Sequence, residues 1–405
     1  MPDLPRILAR HSEGPAADGT GTRLLPSAYR ALLEQASSGS QRVTDKSAGT
    51  WTWGRGRGGT AMTTGLPVKP IDTEKFAERL RARAINAAER KILISRLSGS
   101  EQEVDLSSPT NCDGFGRIRH FKIKTSDGWP ANPLPIVPAC KALGIYEPPA
   151  MMMAQVFQNA ACAWRCWYCF VPDALLKADI TRSSWFSADE LVAFYADLSD
   201  RPSIIDLSGG SPDLVPEWTP WMMEALQSRG LDRSTYLWTD DNLSTTYLFD
   251  KLTKDELILL RSYQNYGRVC CFKGFDSYSF AFNTKAAESD YEQQFRIMRR
   301  LLDLGLDLYG YVTLTSPRSE GVAASVRTFV DRLQDLDPNL PLRTVPLEIR
   351  MFSPVGARLA ANDERQISME VQQDAIAAWN EEIEKRFEPA MRAHPISAVP
   401  LRTRG

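Results

Sequence analysis

Three cysteines at short, uneven spacing are the residues in this chain best suited to chemistry. Cys162, Cys166 and Cys169 form a C-x3-C-x2-C pattern directly after an apolar run at residues 151–157. The chain has seven cysteines in 405 residues. On that count, such a placement arises by chance about once in a thousand chains. Three thiolates on one loop can bind three irons of a [4Fe–4S] cluster and leave the fourth iron open to a cofactor or substrate.

Three other interpretations of the cysteines fit less well. A structural zinc site needs four ligands, and the histidines, at positions 11, 120 and 394, are far from the loop in sequence. A thioredoxin-like C-x2-C pair leaves Cys162 without a role. A disulfide framework is typical of short secreted chains, whereas this chain is long and its first residues show no secretory signal.

The C-x3-C-x2-C pattern, with the aromatic Tyr168 just before its last cysteine, resembles the signature of the radical S-adenosylmethionine (radical SAM) superfamily. The resemblance covers residues 150–350. It implies a partial (β/α)6 TIM-like barrel with the cysteine loop after its first strand. It implies two cofactors, a [4Fe–4S] cluster ligated by Cys162, Cys166 and Cys169, and S-adenosylmethionine, whose adenine meets Tyr168.

Paired glycines follow the second predicted strand, in the stretch Ser208-Gly209-Gly210-Ser211. Glycine lets a backbone approach a ligand closely, although a tight turn explains the pair equally well. The stretch resembles the Gly-Gly-Glu-Pro-like segment that contacts the methionine amino group of the cofactor in the same superfamily. The resemblance implies that Gly209, Gly210 and Ser211 bind the cofactor. Because Ser211 stands where glutamate is usual, the role of its side chain stays open.

Two further positions resemble motifs of glycyl-radical-enzyme activases, such as pyruvate formate-lyase activating enzyme. Thr239 and Asp240 follow the third predicted strand, where polar groups of these activases meet the cofactor; a helix N-cap is the competing interpretation. Lys273 follows the fourth predicted strand, in an Asp-x-Lys-like stretch where Cys271 replaces the aspartate. The resemblance implies that Lys273 pairs with the cofactor carboxylate or a substrate anion. A surface lysine is the alternative.

Arg350, at the last predicted strand, is a candidate clamp for an anion, because a guanidinium binds carboxylates through two parallel hydrogen bonds. An ordinary surface ion pair is the alternative. The other cysteines are interpreted as core thiols, with a second cluster left open. Cys112 and Cys140 lack cluster spacing, and the adjacent Cys270 and Cys271 must point to opposite faces of a strand.

The elements that position these residues alternate between short apolar strands and amphipathic helices from residue 150 onward. This alternation is typical of βαβ units and a parallel sheet, and so predicts an α/β fold. Capping boxes at Ser187 and Thr253 begin two predicted helices. A doubly wound sheet gives the same local pattern, and the resemblance favours the partial barrel. The predicted strands are Met151–Phe157, Ser203–Leu207, Thr235–Trp238, Arg268–Phe272, Leu308–Leu314 and Pro346–Met351.

The rest of the chain is predicted to flank this barrel. Ten of the 25 glycines lie in the first 65 residues, a composition that predicts disorder. Translation starting at Met62 is a further hypothesis. A helix is predicted over residues 72–97, a short strand over Ile118–Ile123 and a polar helix over 363–387, with a loose end from Glu388. The predicted segments are a disordered stretch 1–65, an N-terminal helical and irregular extension 66–149, the barrel 150–355, and a C-terminal helix and tail 356–405.

Charge and composition limit the possible functions. The net charge of −2 gives no electrostatic basis for nucleic-acid binding. No run approaches the roughly 18 apolar residues of a membrane span, so we expect a cytoplasmic protein in a compartment that keeps thiols reduced. The resemblance implies an enzyme that abstracts hydrogen from an unknown substrate, a small molecule, peptide or nucleotide, with an electron donor such as flavodoxin or ferredoxin. A non-catalytic iron–sulfur redox or oxygen sensor is the alternative.

Overall fold

Two β-sheets organise residues 69–401, the part of the chain that the computed structural model describes. Strands β1, β2 and β5 form a small antiparallel sheet, and seven strands form the main sheet in the order β10-β9-β8-β7-β6-β4-β3. The strands are β1 (Ile85–Asn86), β2 (Lys91–Ser95), β3 (Gly116–Lys122), β4 (Met151–Phe157), β5 (Ser183–Ser187), β6 (Ile204–Leu207), β7 (Tyr236–Asp241), β8 (Tyr266–Phe272), β9 (Leu308–Val312) and β10 (Thr344–Pro346).

The main sheet is wound in one direction. From β4 to β10, each of its parallel strands pairs with the next one along the chain, and only the edge strand β3 runs antiparallel. A doubly wound sheet would reverse its strand order at an internal switch point. Successive right-handed crossovers in one direction instead place the connecting helices on one face, as in a barrel. An α/β fold with a barrel-like, open sheet is therefore confirmed, and the exact (β/α)6 count stays a prediction.

The strand predictions hold best for β4, the strand beside the edge strand β3. Met151–Phe157 is confirmed at its predicted bounds. The last prediction, Pro346–Met351, was wrong, because β10 occupies Thr344–Pro346. Its three residues pair with the last three residues of β9, and β9 ends at Val312. Residues beyond 347 therefore have no strand to pair with.

Helices connect the strands and extend to the C-terminal end. Both predicted capping boxes are present, at Ser187 and Thr253, and the predicted helix over 363–387 is confirmed within a residue. The helices are α1 (Thr73–Ala84), α2 (Ile136–Leu143), α3 (Ala188–Ala196), α4 (Trp218–Ser228), α5 (Tyr247–Lys251), α6 (Lys254–Ser262), α7 (Ser277–Thr284), α8 (Tyr291–Asp303), α9 (Val322–Leu336), α10 (Ser353–Ala360), α11 (Asp363–Arg386) and α12 (Pro389–Arg392).

The predicted helix over 72–97 was wrong in its second half. The helix ends at Ala84, and residues 91–95 form β2, which pairs with β5. Ile92, Leu93 and Ile94 are all buried, so this short apolar run is covered on both sides. Such a run satisfies helical and strand spacing equally, and β-branched residues favour the strand.

The prediction of a loose end from Glu388 was also wrong for the described residues. Ile396 and Val399 are buried against the rest of the chain. The Lys141 Nζ atom donates to the Ser397 carbonyl at 2.6 Å. The segment lacks periodicity, so its docking could not be read from local sequence. The prediction made for residues 1–65 lies outside the described residues, and the predicted segment boundaries stay predictions.

The two faces of the main sheet differ in what covers them. We call the face covered by α2 the inner face, since Ile136, Ala139 and Cys140 of this helix pack there against Ile204 and Trp238. The opposite face, covered by the connecting helices, is the helix face. Alternation along each strand sends successive side chains to different faces. Within residues 69–401, no helix combines the length and apolarity of a membrane span.

A buried ion pair on the helix face supports a stability prediction. Arg268 Nη1 lies 2.6 Å from Asp241 Oδ2, and the two side chains are 1% and 2% exposed. Arg268→Met leaves the Asp241 carboxylate buried without its cation, which costs about 3–5 kcal/mol. We expect that decrease in the free energy of unfolding, measured by chemical denaturation. Lys124→Met, which breaks an exposed pair with Asp127, is the control and should cost less than about 1 kcal/mol.

Candidate functional site

The cysteine loop, residues 158–171, begins where β4 ends. It lies at the carboxyl edge of the parallel strands, where ligands of such sheets bind. Cys162 is buried, and Cys166 and Cys169 are half-buried. The loop has no helix or strand of its own. Its backbone polar groups must therefore find partners elsewhere.

Two arginines hold the carbonyl groups of the loop. Arg165 Nη1 donates to the carbonyls of Cys162 at 2.7 Å and Trp164 at 2.8 Å. Arg358, from α10, donates to the carbonyls of Cys169 at 2.5 Å and Val171 at 3.3 Å. One guanidinium fixes the first half of the loop, and the other fixes the second half. Sequence reasoning missed both, because nothing in the local pattern marks an arginine as a backbone partner.

A buried asparagine ties the middle of the loop to two strand ends. The Asn283 Oδ1 atom, on α7, accepts from Trp167 Nε1 at 2.9 Å and from Thr315 Oγ1 at 2.7 Å. Its Nδ2 donates to the carbonyls of Lys273 at 2.8 Å and Thr315 at 3.2 Å. All four hydrogen-bonding positions of this amide are thus used. Asn283 fixes Trp167, and with it the spacing between Cys166 and the residues that follow β8.

The paired glycines after β6 let their turn pack onto the cysteine loop. Gly209 and Gly210 have φ values of 86° and 69°, a conformation that glycine adopts without strain. A Cβ atom on Gly210 would lie 2.4 Å from the Asn159 carbonyl oxygen and 2.5 Å from that of Ala161. The glycines are therefore required for contact between two stretches of backbone. Their contact with a cofactor stays a prediction.

Ser211 acts directly on one of the thiols. It is fully buried, and its Oγ donates to Cys162 Sγ at 3.2 Å. The same Oγ accepts from the Ala163 amide at 3.3 Å and from Asn242 Nδ2 at 3.0 Å. The sequence left the role of the Ser211 side chain open. In the structure this side chain is hydrogen-bonded inside the protein, where it orients Cys162.

Thr239 and Asp240 point in different directions. The Thr239 hydroxyl lies on the helix face, 3.1 Å from the Tyr266 hydroxyl. Asp240 lies on the inner face, where its Oδ2 accepts from Ser208 Oγ at 2.6 Å. Of the two predicted cofactor-binding residues, the structure brings only Asp240 toward the edge that carries the cysteine loop.

Lys273 and Tyr168 meet at this edge. The Lys273 side chain is 8% exposed and makes no hydrogen bond or ion pair with any residue in the described range. Burial opposes its charge, but the anionic forms of Cys271 and Tyr168 and of the loop cysteines outweigh burial and raise the pKa of Lys273. Tyr168 accepts a hydrogen bond from Thr313 Oγ1 at 2.9 Å, which ties the loop to the residue after β9. A fixed positive charge therefore faces the thiols.

The protonation of the thiols bears on metal ligation. Burial, then the neighbouring cysteines, raise the pKa of Cys169 to about 12, and burial also raises the pKa of Cys166. Metal ligation must therefore displace protons, and the charges of Lys273 and Arg358 favour that loss. Among residues 69–401, no three His, Cys, Asp or Glu side chains are arranged around one metal ion. In a cluster, each cysteine binds a different iron, so the sulfurs need not converge on a point.

The remaining predicted residues make no hydrogen bond to the cysteine loop in the described part of the chain. Arg350 is exposed beyond β10, and its guanidinium makes no hydrogen bond or ion pair in the described part of the chain, so its anion-binding role stays a prediction. Cys270 packs on the helix face and Cys271 on the inner face, as alternation predicts. Cys140 is buried in α2 and Cys112 is half-buried.

Charged residues on the inner face were also missed. Arg119 Nη1, from β3, lies 3.1 Å from Asp206 Oδ2 of β6. Burial, then the neighbouring Asp240, raise the pKa of Asp206 to about 7. The sequence carried a signal for them, since Asp206 interrupts an apolar strand and arginines alternate in residues 116–122.

Comparisons with known proteins give low similarity. No family model matches the chain, and no curated protein matches it. Among solved structures it is similar to SuiB of Streptococcus suis bound to S-adenosylmethionine, at 13% identity and TM-score 0.32 over 44% of this chain and 37% of that one. The chain thus spans little more than a third of the length of SuiB.

Two further structures are similar at the same level. Spore photoproduct lyase, as a mutant with bound AdoMet and dinucleoside spore photoproduct, has 11% identity and TM-score 0.35 over 56% of this chain and 72% of that one. OxsB, a cobalamin-dependent S-adenosylmethionine radical enzyme with aqua-cobalamin bound, has 13% identity and TM-score 0.33 over 61% and 38%. The function proposed below rests on the residues of this chain.

The packing of Gly210 generates a prediction. Gly210→Ala places a methyl group against two carbonyl oxygens that belong to backbone, and we expect a loss of about 2–3 kcal/mol in the free energy of unfolding. Gly230→Ala is the matched control, because Gly230 has φ 65° and open space at its Cβ position. It should cost about 1 kcal/mol, the penalty of the backbone conformation alone. Equal losses in chemical denaturation would show that close approach to the loop is unimportant.

Proposed function

We propose that this protein is a radical SAM enzyme that cleaves S-adenosylmethionine reductively at a [4Fe–4S] cluster. The observation that carries the proposal is the C-x3-C-x2-C loop at the carboxyl edge of a singly wound parallel sheet. Lys273 and the turn of Gly209 and Gly210 lie beside this loop. When bound, the cluster and S-adenosylmethionine supply a 5′-deoxyadenosyl radical that abstracts hydrogen from a substrate.

Each residue at the site has a role in this proposal. Cys162, Cys166 and Cys169 hold the cluster, and Tyr168 meets the adenine. The cofactor-binding positions on the turn after β6 and at the end of β7 are Gly209, Gly210 and Asp240, and Ser211 orients Cys162 from within the protein. Lys273 offers its buried charge to the carboxylate of the cofactor. The substrate is a small molecule, peptide or nucleotide, and the electron donor is a flavodoxin- or ferredoxin-like protein.

The protein prepares the site before any ligand arrives. The Ser211 hydroxyl donates to Cys162 Sγ, and hydrogen bonds to cysteine sulfur are among the features that set a cluster's reduction potential. Helix α2 packs against the inner face away from the loop, so water is excluded from that end. Exclusion of water protects reactive species from side reactions.

The first test is 5′-deoxyadenosine formation by full-length protein reconstituted anaerobically with iron and sulfide. We expect product from wild type with dithionite and S-adenosylmethionine, and none when Cys162, Cys166 and Cys169 are all replaced by Ala. Cys112→Ala, which removes a thiol outside the loop, is the control and should keep the product. A wild-type protein that holds an intact cluster and forms no 5′-deoxyadenosine would support the sensor alternative. Failure to form any cluster would contradict both.

A second prediction concerns Lys273. Lys273→Gln removes a charge-assisted hydrogen bond, which contributes about 1.5–3 kcal/mol. We expect S-adenosylmethionine to bind at least about tenfold more weakly in equilibrium titration of the reconstituted protein, with unchanged iron content. Lys254→Gln, an exposed substitution on α6, should leave the affinity unchanged. Unchanged affinity in the Lys273 variant would remove this residue from the cofactor site.

A further inference from the structure

Arg117 on β3 is a buried cation without a hydrogen-bond or ion-pair partner among the described residues. The residue is 6% exposed, and its guanidinium makes no hydrogen bond or ion pair with any described residue. Its Nε is fully buried and unpaired. The Arg117 Cζ atom lies 5.2 Å from the centre of the Phe170 ring. Phe170 directly follows Cys169, the last cysteine of the loop. Burial, then the neighbouring Arg119, lower the pKa of Arg117 to about 10, so it is charged at neutral pH.

This arrangement differs from that of the other deeply buried arginines. Arg268 pairs with Asp241 at 2.6 Å, and Arg343 pairs with Asp307. A buried charge is costly unless it is paired and hydrogen-bonded. Among the described residues, Arg117 has the ring of Phe170 beside its charge but no carboxylate bound to it, so an anionic ligand would supply the missing pairing.

The sheet register places an unpaired acceptor on the same row. Arg117 is opposite Val156 on β4, and Val156 is opposite Asp206 on β6. Side chains at paired positions share a face, so Arg117 and Asp206 flank the short Val156 on the inner face. Their backbones are two strand spacings, about 10 Å, apart. Asp206 is fully buried; its Oδ2 bonds Arg119, and its Oδ1 has no partner.

This corner of the inner face can be reached from outside the protein. The side chain of Arg119, beside Asp206, is 32% exposed. The row also lies one residue from the carboxyl ends of β4 and β6. A ligand bound here would therefore lie next to the cysteine loop, where hydrogen abstraction is proposed to occur.

We propose that Arg117 binds the carboxylate of a small substrate and that Asp206 accepts a hydrogen bond from a hydroxyl or ammonium group of the same molecule. The proposal rests on the proposed function and deepens it, because it names the substrate as a hydroxy- or amino-carboxylate. A planar guanidinium fork matches a carboxylate through two parallel hydrogen bonds. A donor on the ligand would satisfy the remaining oxygen of Asp206.

The first test compares stability without ligand in the full-length chain. Arg117→Met removes an unpaired buried charge, and we expect the unfolding midpoint temperature to stay equal to that of wild type or to rise. Arg268→Met, which removes an equally buried but paired guanidinium, should lower the midpoint by several degrees. A comparable decrease in both variants would make Arg117 a structural residue and overturn the proposal.

The second test uses glycolate, acetate and inorganic phosphate as probes, each at up to about 100 mM and constant ionic strength. We expect glycolate, which carries both a carboxylate and a hydroxyl, to raise the wild-type midpoint by about 2 °C. Acetate should raise it less, and Arg117→Met should abolish the glycolate shift. A shift with phosphate and none with glycolate would overturn the carboxylate assignment. So would a glycolate shift that survives in Arg117→Met, or no shift with any probe.

The third test separates the substrate from the cofactor, which also carries a carboxylate. In reconstituted protein, Arg117→Met should bind S-adenosylmethionine within about twofold of the wild-type affinity. A tenfold weaker affinity would assign Arg117 to the cofactor and overturn the substrate site. Wild-type 5′-deoxyadenosine formation decides the proposed function separately. If the wild-type protein binds glycolate through Arg117 but forms no 5′-deoxyadenosine, the carboxylate site is supported and the proposed function is contradicted.

Discussion

The need to pair the backbone of an irregular loop governs this structure. The loop that carries the three cysteines has no helix or strand of its own, so its carbonyls are paired partly by backbone amides of other segments and partly by side chains. Arg165 donates to loop carbonyls from within the loop, and Arg358 donates to others from α10. Asn283 of α7 accepts a hydrogen bond from the indole of Trp167, in the middle of the loop. Elements far apart in sequence are therefore needed to give three thiols one arrangement, and the fold exists around that arrangement as much as around its apolar core.

The alternation of side chains along the strands places a paired set of buried charges on one face of the main sheet and the candidate ligand-binding groups on the other. The helix face holds the Arg268–Asp241 pair, in which each buried charge has an opposite charge beside it. The inner face holds Arg117, Asp206 and Lys273, each of which has hydrogen-bonding capacity left unused. Adjacent residues such as Thr239 and Asp240 fall on different sides of this division. Buried polar groups are normally satisfied, so the unused hydrogen-bonding positions of Arg117 and Asp206 beside the cysteine loop are candidate ligand contacts.

The sequence predicted correctly those features that depend on interactions between residues close together in the chain. Periodicity placed the parallel strands, and the spacing of side-chain caps placed the starts of α3 and α6. The cysteine spacing identified the loop. The misses depend on distant partners: Ile92 to Ile94 form a strand because β5 is there to pair with them, and β10 ends where β9 ends. The clamp from Arg358 to the loop crosses 189 positions of sequence, so no window of neighbouring residues contains both halves of the interaction.

The position of β3 has a consequence for how such a site diversifies. Arg117 and Arg119 lie on a strand that precedes the parallel series and joins it only at the edge, antiparallel to β4. The thiols, the glycine turn and Lys273 all belong to the parallel series. An edge strand can be exchanged or lengthened without rewinding the sheet behind it. Arg117, the group that would select the substrate carboxylate, is thus carried on a separate strand from the groups that would perform the reaction, whereas Asp206 stays within the parallel series. A change of β3 could therefore alter selection of the carboxylate without changing the reaction site.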